Sequence, residues 1–240
     1  MKMKLLISTT LAAMVALVAP AVHANSVMLY AGGYEFGGGG EITAVSTPSF
    51  LANYSPLAIQ PATGGLGFET DCVEVAVDAS IGTQYSFTLS QTTTEGNQLT
   101  LGAAYLYYLF GKGLLGIAAG SPTYDYANTG PGRIVDAELF QSALWALMNQ
   151  PNYFGQNLAA NPYLQYVTTV FGPNVLNPSA GAFDVDVMQL WDYNNVGSPG
   201  PLGYQDQLVL VPDGGYTVVM LGAAITAMAA IGLRSRKTVL

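Results

Sequence analysis

The chain has 240 residues, half of them hydrophobic and only 9% charged, with a formal net charge of −8 and one residue each of cysteine and histidine. The histidine, His23, falls in an N-terminal leader. The remainder therefore has no Ser–His–Asp or Cys–His pair and no His-ligated zinc site, and a single cysteine excludes an internal disulfide. Between Asn25 and Val211 only Lys112 and Arg133 oppose fourteen acidic residues, a net charge of about −12. Nucleic acid is excluded as a partner, since such binding needs clustered Lys and Arg; a self-repelling surface protein is compatible with that charge.

The leader opens with Met1-Lys2-Met3-Lys4, runs apolar from Leu5 to Val22 and ends in Val22-His23-Ala24. A basic n-region, an apolar h-region and a small-residue site make residues 1–24 a secretory signal peptide, with a membrane-anchoring helix as the other reading. The roughly 187 residues that follow suit one domain. Val27 to Tyr30 and Glu41 to Val45 are expected strands, with a flexible turn over Gly37 to Gly40. Pro48 to Gly67 reads as loop. Phe68 to Ala79 is expected to be a strand holding Cys72. Its alternation sends Val73, Val75 and Val77 to the core and leaves Cys72 on the polar face with Glu74 and Asp78. Gln84 to Gln91 is expected to be its partner strand.

A buried helix is expected over Leu101 to Leu115, capped by Thr100. In a second, Ile134 to Met148, positions 137, 140, 141, 144, 145 and 148 form one face. Gln141 lies inside that apolar stripe, where an unpartnered amide costs about 1–3 kcal/mol. Asn161-Pro162 marks the start of a short helix, Tyr163 to Phe171, closed by Gly172. Phe183 to Trp191 and Gln207 to Val211 are expected closing strands around a Gly197 to Gly203 loop. The fold class is α+β: a β-barrel or sandwich core with an inserted helical region.

After the ectodomain, residues 25–210, comes Val211-Pro212-Asp213-Gly214-Gly215, then an apolar run from Tyr216 to Leu233, then Arg234-Ser235-Arg236-Lys237. Eighteen apolar residues are near the shortest membrane-crossing helix, and the basic cluster belongs on the cytoplasmic side. A simple membrane anchor is one reading. The three parts in this order also resemble the PEP-CTERM sorting signal in its Val-Pro-Asp variant. That resemblance implies an exosortase as processing partner, transient membrane anchoring, cleavage near Pro212, and release to the cell surface or extracellular matrix.

A Cys in a strand followed by a helix reading Gln-x-Ala-aliphatic-Trp, here Gln141-Ser142-Ala143-Leu144-Trp145, resembles the thioester domains of bacterial surface adhesins. By that resemblance Cys72 and Gln141 form an internal thioester, surrounded by Phe140, Leu144 and Trp145. The partner would be a surface protein or polysaccharide bearing an amine or hydroxyl. Asp71 departs from that pattern, which has an aromatic before the Cys. No cofactor or metal, and no enzyme activity, is expected. The alternative is a passive matrix structural or carbohydrate-binding module with a free thiol, its tyrosines, such as Tyr105, Tyr107 and Tyr108, serving core or sugar stacking. A third class, metal binding or hydrolysis, would draw on Asp184, Asp186, Asp192 and Asp206. Asp184-Val185-Asp186 lacks the rest of a calcium loop, and nothing singles out a carboxylate pair.

Overall fold

The computed structural model describes residues 25–36, 39–55, 58–59, 65–126, 131–152, 155–193 and 204–212. The leader, the expected loop 197–203, and the tail with its Asp213, Gly214, Gly215 and apolar run lie outside the described residues. Among those described, no helix is long and apolar enough to cross a membrane.

Strands β1 (Ser26–Phe36) and β2 (Gly39–Thr47) pair antiparallel, with Val27 opposite Ser46 and Leu29 opposite Ala44. Their alternation is that of half-buried strands, with Val27, Leu29, Ile42 and Ala44 in the core. The register shifts between Ala31 and Tyr34, where Gly33 takes a φ of 88° that a bulge requires. A single turn of 3₁₀ helix, Leu51–Asn53, and a two-residue β3 (Ala58–Ile59) lead into β4 (Leu66–Thr70). Then come β5 (Gln84–Ser90), β6 (Val185–Asp192) and β7 (Gln207–Leu210), in the sheet order β3-β4-β2-β1-β5-β6-β7.

The sheet curls until its ends meet. Leu208 N–H donates to Asp71 O at 3.0 Å and Val73 N–H to Asp206 O at 3.1 Å. Cys72 thereby bridges Gln207, and six of the strands form a nearly closed antiparallel sheet. With its helices this makes a mixed α+β, barrel-like fold.

Three helices lie between β5 and β6 in sequence. Thr100 caps α1 (Leu101–Gly111) by accepting from Ala103 N–H at 3.2 Å. The second, α2, spans Pro131–Leu147, and Asn149 ends it at a φ of 57°. Asn161 caps α3 (Pro162–Phe171), accepting from the N–H groups of Tyr163 and Leu164 at 3.0 and 3.2 Å. Aromatic contacts tie these elements together. Phe110 of α1 meets Phe140 of α2 at 4.7 Å, Tyr163 of α3 meets Phe140 at 5.6 Å, and Tyr54 stacks on Phe68 of β4 at 4.7 Å. Tyr107 is fully buried, while Tyr105 and Tyr108 pack half-buried against the core.

Two expectations are corrected. The strand expected over Phe68 to Ala79 ends at Thr70. From Val73 onward it is tied by side chains and a seam rather than a full ladder. Gln150 Oε1 accepts from Val75 N–H at 3.2 Å, and Glu74 Oε2 from Asp206 N–H at 3.2 Å. Val75 and Val77 are consequently only half-buried, while Cys72 and Val73 are wholly buried. The expected partner strand, β5, pairs instead with β1 and β6. The polar segment 71–83 carries the chain across the end of the sheet rather than turning it back on itself.

A Cβ added at Gly67 would stand 2.6 Å from Thr43 Cγ2 and 2.8 Å from Ala44 O. Gly67→Ala must therefore push β4 off β2, and it should lower stability by about 1–3 kcal/mol, read as a lower urea midpoint with an unchanged slope.

Candidate functional site

Beyond Thr70 the chain leaves β2 and swings toward β7. Ile42 opposite Thr70 is the last β2–β4 pair. On the β7 side, Asp71 O and Val73 N–H are bonded. Main-chain groups alternate sides along an antiparallel strand, so the N–H and C=O of Cys72 face the gap that β2 has vacated. These groups are buried and need partners.

Gln141 supplies them. Its Oε1 accepts from Cys72 N–H at 3.1 Å and from Gly40 N–H at 3.2 Å, and its Nε2 donates to Cys72 O at 2.7 Å. One side-chain amide thus joins the parted ends of β2 and β4. Helix α2 delivers it: Ala137, Phe140, Gln141, Leu144 and Trp145 share the buried face of that helix, and Met148 follows them into the core. Phe140 and Leu144 belong to the same hydrophobic cluster as Cys72, and Trp145 is buried on the same helix.

The thiol of Cys72 is free and buried. Burial pushes its pKa up to about 12, against the opposing effect of Gln207, whose Nε2 lies 3.5 Å from Sγ. Gln207 Nε2 also donates to Gln205 O at 3.0 Å. Sequence reading missed Gln207. The available signal was a glutamine opening an apolar strand, Leu208-Val209-Leu210, the same anomaly that marked Gln141.

A buried charge cluster lies beneath the start of α2. Arg133 Nε sits 2.7 Å from Glu41 Oε2, and its Nη2 is 3.5 Å from Glu69 Oε1. The Tyr124 hydroxyl also donates to Glu41, and the guanidinium carbon stands 4.3 Å from the centre of the Tyr34 ring. Asp71 is wholly buried near these groups, and neither carboxyl oxygen has a hydrogen-bond partner. Burial, then Glu41 and Glu69, hold its pKa well above the usual carboxylate range.

A second acidic pair stands on the other side of the seam. Asp206 accepts from Thr94 N–H at 2.6 Å and Leu190 N–H at 3.0 Å, and its own N–H donates to Glu74. Burial and the neighbouring Glu74 raise its pKa to about 7. The other aspartates considered from sequence are dispersed. Asp186 is bonded by Gln91 Nε2, and Asp184 occupies a turn at a φ of 53°. Among the described residues, no group of three His, Cys, Asp or Glu is placed to hold a metal ion. Val211 is buried, with its N–H donating to Asp184 O at 2.8 Å, and Pro212 beside it is exposed. Comparison with protein-family models, with curated proteins and with solved structures finds no match for this chain.

Two outcomes follow. Gln141→Ala leaves Cys72 N–H, Cys72 O and Gly40 N–H to find other partners, so it should cost about 3 kcal/mol or more, with each unmet buried group worth about 1–3; urea titration measures this. The pKa values of Asp71, Glu74 and Asp206 are all raised in the fold, chiefly by burial, so across the window between unfolded and folded values the folded chain binds more protons than the unfolded one. The resulting stability is complete below the unfolded carboxylate pKa near 3.8 and is lost as pH rises through about 7 for Asp206. The urea midpoint should therefore fall between pH 5 and pH 8, and Asp206→Asn should flatten that slope.

Proposed function

We propose that this chain is an exported surface protein in which Cys72 and Gln141 close an internal thioester, making it a covalent adhesin. The observation that carries the reading is the Gln141 carbonyl, held between two backbone N–H groups against the main chain of Cys72. Such a pair of donors is what a carbonyl needs when it becomes a tetrahedral oxyanion. Cys72 Sγ attacks Gln141 Cδ. Negative charge develops on Oε1, between the N–H groups of Cys72 and Gly40. The C–N bond then breaks, the S–C bond remains, and the thiol proton leaves with the nitrogen as ammonia. Fixed positioning and the exclusion of water supply much of the barrier reduction. An amine or hydroxyl of a surface protein or polysaccharide later attacks the same carbonyl, forming an amide or ester and returning the thiol to Cys72.

The resemblance to adhesin thioester domains supports the same reading, as does a barrel-like core with helices placed between two of its strands. The tail fits export followed by exosortase processing. Among the described residues Val211 is the last that is hydrogen-bonded, and Pro212 is exposed, so cleavage beyond it would release the described domain from a transient membrane anchor in the apolar run 216–233. Cell surface or extracellular matrix is the proposed destination.

One observation favours a second reading, a passive matrix or carbohydrate-binding module. All three hydrogen bonds of the Gln141 amide are useful without any reaction: the two to Oε1 splice β2 to the end of β4, and the one from Nε2 satisfies Cys72 O. Intact mass separates the two. The full chain should weigh one ammonia less than its processed sequence, and methylamine should add its own mass and expose one titratable thiol. A full-weight chain with a methylamine-inert Gln141 would leave the amide as a structural splice.

A further inference from the structure

Gln207 opens β7 directly opposite Cys72, and the two form an isolated antiparallel bridge across the seam. The bonds on either side, Val73 N–H to Asp206 O and Leu208 N–H to Asp71 O, make them a non-hydrogen-bonded pair. Side chains of such a pair share a face and stand closer than those of the hydrogen-bonded kind. Register thus brings the thiol and the Gln207 amide together, and Nε2 lies 3.5 Å from Sγ. Resting on the thioester reading above, we infer that Gln207 is a catalytic residue of that reaction, its N–H holding the Cys72 sulfur as negative charge gathers there in ring closure and again in ring opening.

Packing alone does not account for this amide. Gln207 is wholly buried, at the head of the apolar run Leu208, Val209 and Leu210. Its Nε2 also donates to Gln205 O at 3.0 Å, but its Oε1 has no hydrogen-bond partner. A buried acceptor left unmet costs stability, so an apolar side chain would suit the strand better. The two glutamines divide the neighbourhood of Cys72 between them. Gln141 bonds its main chain, at N–H and C=O, and Gln207 bonds its sulfur. Burial disfavours charge on that sulfur, and an N–H donor opposes the effect. An amide suits the task because it does not titrate and offers its donor at every pH.

The bonds balance without another reactant. In closure the S–C bond forms, the C–N bond breaks, the thiol proton leaves with the nitrogen as ammonia, and Gln207 keeps both amide protons. In opening, a target amine adds to the carbonyl, the C–S bond breaks toward the same N–H, and a proton of the amine ends on the thiol. A hydrogen bond to a charged group favours that charge by roughly 10- to 100-fold. About half of the gain is returned as weaker nucleophilicity, so losing the donor should slow closure roughly 3- to 10-fold.

The test follows ammonia loss by intact mass as the full chain refolds from urea, then ring opening by methylamine, across pH 5 to 9, with near-UV circular dichroism to show the fold at each pH. Gln207→Met keeps the length and removes the donor. Gln207→Glu has a donor only while its acid is protonated. Peptide mapping of the closed wild-type ring locates its two ends. The methionine variant should close and open slowly at every pH. The glutamate variant should match it at high pH and approach the wild-type rates as pH falls. Wild-type rates in folded Gln207→Met overturn the role and leave the thioester standing, as does a Gln207→Glu that stays slow at low pH. A wild-type ring mapped to Cys72 and Gln207, with no ammonia lost from Gln207→Met, also overturns it, since Gln207 is then the acyl donor itself. If the wild-type chain never loses ammonia, the thioester reading fails and this role falls with it.

Discussion

A single side-chain amide takes the place of a missing strand. β2 and β4 pair as far as Ile42 and Thr70 and then part, because the chain beyond Thr70 must turn to meet β7 and close the sheet. Closure on one side of Cys72 opens a gap on the other. Buried main-chain groups cannot be left in such a gap, and Gln141 bonds three of them at once. Helix α2 is in turn fixed to the sheet at two points, Arg133 on Glu41 and Gln141 on Cys72 and Gly40, with the small Ala137 midway between them. Positions 133, 137 and 141 are successive turns of one helical face, so the polar anchors and the close approach between them come from the same spacing.

Charge follows the same economy. Only two basic residues stand between Asn25 and Val211, and one of them, Arg133, is buried under α2. Its guanidinium serves two carboxylates, which leaves Asp71 to be buried as a neutral acid. A chain with so few cations has little means of fixing α2 by surface ion pairs, which are worth little in any case. It uses one buried cation where the surrounding dielectric makes the interaction count, and Tyr124, Tyr34 and the carbonyl of Tyr126 complete the coordination of the pair.

The helices were legible because their signals are local. Thr100 and Asn161 cap where the sequence places them, and the 137-140-141-144-145-148 stripe is buried as its period requires. The misplaced valines show where local pattern fails. Val73, Val75 and Val77 alternate like a strand, yet a strand needs a neighbour to pair with, and past Val73 its main chain is met by the side chains of Gln205 and Gln150. Pairing β5 with the Cys72 segment failed for a related reason: adjacency in sequence is a good guide to hairpins, and the polar stretch between them is a crossing. Gln207 escaped notice, and Asp71 was legible only as a departure from the adhesin pattern, because the burial of each follows from the seam between residues 70–73 and 206–208.

The splice and the thioester call on the same atoms in different ways. As a splice, the amide uses its nitrogen on Cys72 O and its oxygen on two N–H groups. A thioester gives up the nitrogen and its bond to Cys72 O but keeps both bonds to oxygen, which are the two that join β2 to β4. Ring closure would therefore leave the joint between the strands in place and replace the lost hydrogen bond with a covalent one. A later attack by a target amine would restore an N–H on that carbon, facing the same Cys72 carbonyl. A glutamine is the one side chain that can serve as both strand joint and acyl donor here: asparagine is a methylene shorter, and a glutamate would place a charge among Phe140, Leu144 and Cys72, where burial disfavours it.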